Sequence, residues 1–148
     1  MNPRLPRLET EREISAALFR YARALDERRW HMLDDVFDAA AVARYGPDEP
    51  LRGRDAIVSG IRQYLDPCGP TQHMITNIEV RSSRDVASSR CCVRAAHASA
   101  DGSATFWAIG SYEADWRRTA AGWRAASWTM VVSFNHGDIS LVGMKKAG

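Results

Sequence analysis

The hydrophobic period of the chain changes once, at the loop containing Pro67, Gly69 and Pro70. Before this loop apolar residues recur every three or four positions; after it they alternate. A helix repeats its face every 3.6 residues and a strand every second residue, so neither half can adopt the other's structure without turning its apolar side to water. Helices first and strands afterwards argue for an α+β fold rather than a parallel α/β sheet, in which the two types alternate along the chain.

In the first half, "LETEREISAALFRYARAL" places Ile14, Leu18, Tyr21 and Leu25 on one helical stripe, and Thr10 with Glu13 reads as a capping box that starts the helix. "ERRWHMLDDVF" predicts a second, shorter helix with Trp30, Leu33 and Phe37 inward and Asp26 as its N-cap. "AAVARY" reads as a short strand ending at the turn residues "GPDEP", and "RGRDAIVSGIRQYL" as a third helix with Ile57, Ile61 and Leu65 on one side. The second half reads as four strands, "HMITNIEVR", "VASSRCCVRAAHAS", "ATFWAIGSYEADWRR" and "GWRAASWTMVVSF", joined by turn signals at "SSRD", "ADGS" and "TAAG". The expected product is an antiparallel sheet, twisted as sheets must be, that curves around the long helix into a cone-shaped hollow.

At 148 residues the chain is long enough to bury roughly 70% of its unfolded surface around one core. We therefore expect a single domain over 1–148, with 1–8 and 144–148 as loose termini. The net charge is +2 and the basic residues are scattered, which argues against a nucleic-acid footprint. No apolar run approaches the roughly 18 residues needed to span a bilayer, and the N-terminal stretch lacks a signal-peptide core. These features predict a cytoplasmic protein with no membrane partner. Cys68, Cys91 and Cys92 form neither a CxxC pair nor an even disulfide set, and the histidines at 31, 73, 97 and 136 lack HxxxH or HxH spacing, so no metal site is expected.

"TQHMITN" places His73 at the start of a strand. Alternation puts Ile75 and Asn77 on its face, with Met74, Thr76 and Ile78 on the other. His97 shares a face with Val93 and Ala95 on the next strand, so two histidines can converge. Asp26 flanks the apolar stripe near the end of the first helix. A carboxylate there can hold one ring nitrogen of a histidine and leave the other as a base that needs no metal or organic cofactor. Taken in isolation, His73 reads as a core histidine bonded to backbone, and Asp26 as a plain N-cap. Trp107, Trp123, Trp128, Phe106 and Phe134 read as sheet core and subunit interface.

"YARALDERRW", "LRGRDAI", "TQHMITN" and "GSYEADW…GWR", in this order and spacing, resemble the SnoaL-like branch of the nuclear transport factor 2-like superfamily. The resemblance runs from about Glu11 to Phe134. Within the superfamily it is to the cofactor-independent lyases: scytalone dehydratase, hexachlorocyclohexane dehydrochlorinase and the bile-acid 7α-dehydratase. It implies a catalytic Asp26–His73 pair, with Tyr21 matching the bile-acid dehydratase tyrosine and His97 the second histidine of scytalone dehydratase. Tyr112 stands where scytalone dehydratase has a substrate-binding Asn, and "AASWTM" where the dehydrochlorinase has an Arg. Tyr112, Asn77 and Trp128 are the substrate-contacting candidates.

The resemblance implies a dehydratase without cofactor, acting on a hydroxylated cyclic or polycyclic carbonyl compound such as a polyketide or steroid-like molecule, and a homo-oligomer, a trimer rather than a dimer. The same base would serve an isomerase or a polyketide cyclase. A reading of another class is a non-catalytic ligand-binding or assembly domain, as in the β subunit of ring-hydroxylating oxygenases.

Overall fold

Helix α1 spans Arg4–Asp26 and buries Ile14, Leu18, Tyr21 and Leu25, the stripe expected from the sequence, together with Ala17 and Ala24. The computed structural model describes residues 4–143. The expected loose ends at 1–3 and 144–148 lie outside those residues, but 4–8 are helical rather than loose. Pro6 did not stop the helix because it sits in the first turn, where its missing N–H has no intrahelical partner to lose. Thr10 is accordingly no cap. Its hydroxyl donates to the Pro6 carbonyl one turn back, 3.0 Å away.

The second helix expected after Asp26 is only a 3-10 turn, Trp30–Asp35, with Leu33 buried and no side-chain cap. Asp26 cannot cap it, because both of its oxygens are taken by strand residues described below. Strand β1 (Phe37–Arg44) and the short β2 (Leu51–Arg52) follow, then helix α2 (Arg54–Leu65), which buries Ile57, Ile61 and Leu65. Four long strands complete the sheet: β3 (Thr71–Ser83), β4 (Val86–Ala98), β5 (Thr105–Thr119) and β6 (Gly122–Gly137).

The strand order is β2-β1-β6-β5-β4-β3. β3 to β6 form the expected antiparallel meander, but β1 joins β6 in parallel, from Phe37 opposite Ala125 to Arg44 opposite Thr129, so the sheet is mixed and its edges stay open. The parallel pairing escaped the sequence reading because α2 separates β1 from the meander and nothing local shows to which strand β1 returns. Helix α1 touches both β3, at one edge, and β6, three strands away, which only a curved sheet permits. The curvature has local causes, since bulges interrupt the register between Thr76 and Glu79, at Ile109/Gly110 and at Asp115/Trp116. Gly110 is required at its bulge: a Cβ there would stand 2.0 Å from the Val131 carbonyl oxygen. Inside the curve, the stripe of α1 meets Phe37, Val93, Ala95, Tyr112, Trp116 and Trp128 in one buried core.

Candidate active site

The end of α1 lies against the start of β3. Asp26 is the last residue of the helix, and its carboxylate turns to the strand rather than to solvent. Oδ2 accepts from the His73 backbone N–H at 2.8 Å, and Oδ1 lies 2.7 Å from His73 Nδ1. The Thr71 hydroxyl donates to the same Oδ1 at 3.1 Å. A carboxylate only accepts, so Nδ1 carries the proton and Nε2 of the neutral ring is a bare lone pair. Nε2 has no hydrogen-bond partner among the described residues. The His73 side chain is only 4% exposed.

His97 stands beside it, with the two rings edge to face and centroids 5.8 Å apart. The diagonal placement follows from the register, which sets Thr71 opposite His97 and His73 opposite Ala95. His97 Nδ1 donates to the Phe106 carbonyl at 3.0 Å, which leaves its Nε2 unprotonated in the neutral ring. Burial pulls its pKa below the ordinary histidine value against the opposing pull of that carbonyl, with smaller contributions from His73 and Arg28.

Further along the α1 stripe, Tyr21 shares a hydrogen bond of 2.9 Å with the hydroxyl of Tyr45, and its ring lies 5.4 Å from that of Tyr112 and 4.4 Å from that of Trp128. Burial first, and mutual repulsion between phenolates second, push the pKa of Tyr21 and of Tyr112 well above the usual phenol value, and Tyr45 is raised by the same two causes. All three stay protonated at neutral pH, and one of Tyr21 and Tyr45 donates to the other. The indole Nε1 of fully buried Trp128 has no partner among the described residues, although a buried N–H ordinarily finds one.

Asn77 does not belong to this group. It is exposed, has φ 53° and occupies the β3 bulge, where the inward face passes from Thr71, His73 and Ile75 to Ile78 and Val80. Strict alternation fails because a bulge inserts a residue and shifts the face. The hollow expected between helix and sheet is also tighter than an open cup, with Tyr21, Phe37, Tyr112 and Trp128 packed across it. Two surface grooves lie elsewhere, one between the 3-10 turn and α2 near Trp30 and Arg62, the other near Arg81 and Trp116.

Three residues of the site were missed in the sequence. Thr71 had a visible signal, being two positions before His73 and so on the same face. Arg28 and Tyr45 had none, since Arg28 is brought in by the turn that ends α1 and Tyr45 by the parallel pairing of β1, which it follows, with β6. Arg28 donates to the Thr71 hydroxyl at 2.9 Å and to the Gly69 carbonyl at 3.0 Å. Among the described residues no group of three or more His, Cys, Asp or Glu is placed to hold a metal ion. The Cys91 thiol is pushed up to about 11 by burial and stays protonated.

Residues 6–129 match the SnoaL-like domain family. An uncharacterised protein of Mycobacterium tuberculosis is 33% identical over 114 residues, covering 76% of this chain and 78% of its own. Two solved structures from Novosphingobium aromaticivorans share the fold. A protein assigned as an aromatic ring hydroxylase is 26% identical with a TM-score of 0.78, covering 90% of this chain and 96% of its own. A protein assigned as a scytalone dehydratase is 22% identical with a TM-score of 0.78, covering 88% of each chain. No helix among the described residues is long and apolar enough to cross a membrane. From its matched length, its curved α+β sheet and its relatives, the chain belongs to the SnoaL-like domain family and has the nuclear transport factor 2-like fold.

Proposed function

We propose that this protein is a lyase working without a cofactor, a dehydratase that removes water from a hydroxylated cyclic or polycyclic carbonyl compound such as a polyketide or steroid-like molecule. The observation that carries this reading is the 2.7 Å contact between Asp26 and His73, with Nε2 left free of protein partners. Nε2 takes the proton from the carbon next to the carbonyl, and the electron pair moves onto the carbonyl oxygen as an enolate. The enolate then expels the hydroxyl group two carbons from that oxygen-bearing carbon. The hydroxyl leaves as water by taking a proton from the His73 imidazolium or from Tyr21, and the product is the unsaturated carbonyl compound.

Asp26 holds the tautomer and stabilises the imidazolium while it exists. Tyr21 and Tyr112, kept protonated by burial, donate to the developing enolate oxygen, with Tyr45 holding the Tyr21 hydroxyl. His97 forms the wall beside the base, and the rings of Tyr112 and Trp128, packed against each other in the core, would meet a cyclic substrate only once the packing opens. With His73 so little exposed, a substrate reaches Nε2 only after the side chains around it part. Isomerase and cyclase chemistry would use the same base without a leaving group. The relative assigned as a scytalone dehydratase supports the dehydratase form.

The test is incubation with hydroxylated cyclic ketones in deuterated water, following loss of water and deuterium uptake next to the carbonyl. Wild-type protein is expected to catalyse both, and His73→Ala neither. A folded His73→Ala protein that retains turnover sinks the mechanism. We propose further that the chain forms a homo-oligomer, a trimer. Val131, Val132 and Phe134 on β6 and Trp107 on β5 leave apolar area in water, Phe134 being 58% exposed, and light scattering would read the assembly.

A further inference from the structure

Arg28 adopts a left-handed backbone, with φ 56°. It closes α1 in a Schellman motif: its own N–H donates to the Leu25 carbonyl at 3.3 Å, and the Arg29 N–H reaches the Ala24 carbonyl at 2.9 Å. That position favours glycine, and a strained residue persists there only when its surroundings hold it. The holding is done by the guanidinium. It donates to the carbonyls of Leu25 at 2.6 Å, Leu65 at 3.4 Å and Gly69 at 3.0 Å, and to the Thr71 hydroxyl at 2.9 Å. The end of α1, the end of α2 and the start of β3 are thus tied at one planar group.

We propose that Arg28, acting through Thr71, is a positioning residue that fixes the Asp26–His73 pair in its base-competent tautomer. Thr71 has one hydroxyl proton. Because its oxygen accepts from Arg28, which can only donate, that proton is directed to Asp26 Oδ1. Oδ1 is then aimed at His73 Nδ1, and Oδ2 is held by the His73 backbone N–H. The chain of donors runs one way, from Arg28 through Thr71 to Asp26. The last hydrogen bond, from His73 Nδ1, is what leaves Nε2 bare. The planar fork matters as well as the charge, because only a guanidinium reaches acceptors on three elements at once.

The effect on catalysis rests on the proposed role of His73, but the tautomer is measured without substrate. Long-range proton–nitrogen NMR of the histidine rings is run on wild type, Arg28→Gly, Arg28→Lys, Thr71→Val and Thr71→Ser. Glycine accepts the left-handed backbone without strain, so Arg28→Gly removes the guanidinium and spares the turn. Thr71→Val keeps the shape and removes the hydroxyl.

Wild type is expected to show His73 protonated at Nδ1, with that proton far downfield. Arg28→Gly, Arg28→Lys and Thr71→Val are expected to lose the downfield proton and mix the tautomers, and Thr71→Ser to restore the wild-type signal. In turnover assays the three disruptive variants should lower kcat by roughly 10- to 100-fold with little change in KM. Folded Arg28→Gly and Thr71→Val proteins with the wild-type His73 signal would overturn the proposal. If the tautomer follows Arg28 while His73→Ala stays active, positioning stands and the catalytic reading falls.

Discussion

Asp26 meets both ends of His73, its Oδ2 receiving the backbone N–H at 2.8 Å and its Oδ1 the ring Nδ1 at 2.7 Å. The two residues are 47 positions apart, and the double contact ties ring orientation to strand position. A carboxylate held this way cannot rotate without losing one partner, so the ring it orients is held as well.

Asp26→Asn puts an amide where the carboxylate was, removing the charge that stabilises the imidazolium. Turnover is expected to fall about 10³-fold, within the range for general-base catalysis, with far-UV circular dichroism unchanged. His73→Ala should lose at least as much. Wild-type rates in Asp26→Asn would show that the pair is structural.

Tyr21→Phe deletes one member of the hydrogen bond to Tyr45 inside the core. A stability loss of about 1 kcal/mol is expected by urea unfolding, together with slower turnover if Tyr21 serves the enolate or the leaving hydroxyl. Unchanged turnover with lowered stability would confine Tyr21 to packing.

Gly110→Ala tests the bulge that bends β5 and β6. The new Cβ would meet backbone, the Val131 carbonyl oxygen at 2.0 Å, rather than a flexible side chain. The expected cost is about 3 kcal/mol, read as a lowered urea midpoint. An unchanged midpoint would mean that the two strands part there freely.

The pH dependence of stability has a sign on each side. The pKa of His97 is lower in the folded chain than its ordinary value of 6.5, so below that value the unfolded chain binds the proton first, and stability falls as pH drops toward the folded pKa. On the alkaline side the buried tyrosines have raised pKa values, Tyr64 being pushed up to about 12. Unfolded tyrosines ionise first, and stability is lost as pH rises above 10. Thermal unfolding across pH should therefore show a plateau, and His97→Gln should flatten its acid shoulder. An acid slope unaffected by His97→Gln would assign it to other groups.

The sequence by itself determined what local periodicity can encode. The stripe Ile14, Leu18, Tyr21, Leu25 specified the long helix, alternation specified four strands, and turn residues specified the meander. Order and spacing along the chain also singled out Asp26, His73, His97, Tyr21, Tyr112 and Trp128 as candidates. Only the tertiary structure decided which of them meet. The bulge at Asn77 moved that residue out of the group, and the mutual grip of Asp26 and His73 took away the expected N-cap. The reversal at Arg28 and the parallel return of β1 brought in partners that no window of sequence contains. Periodicity is a property of neighbours in the chain, whereas bulges, reversals and pairings are settled by which distant groups must share hydrogen bonds once water is excluded.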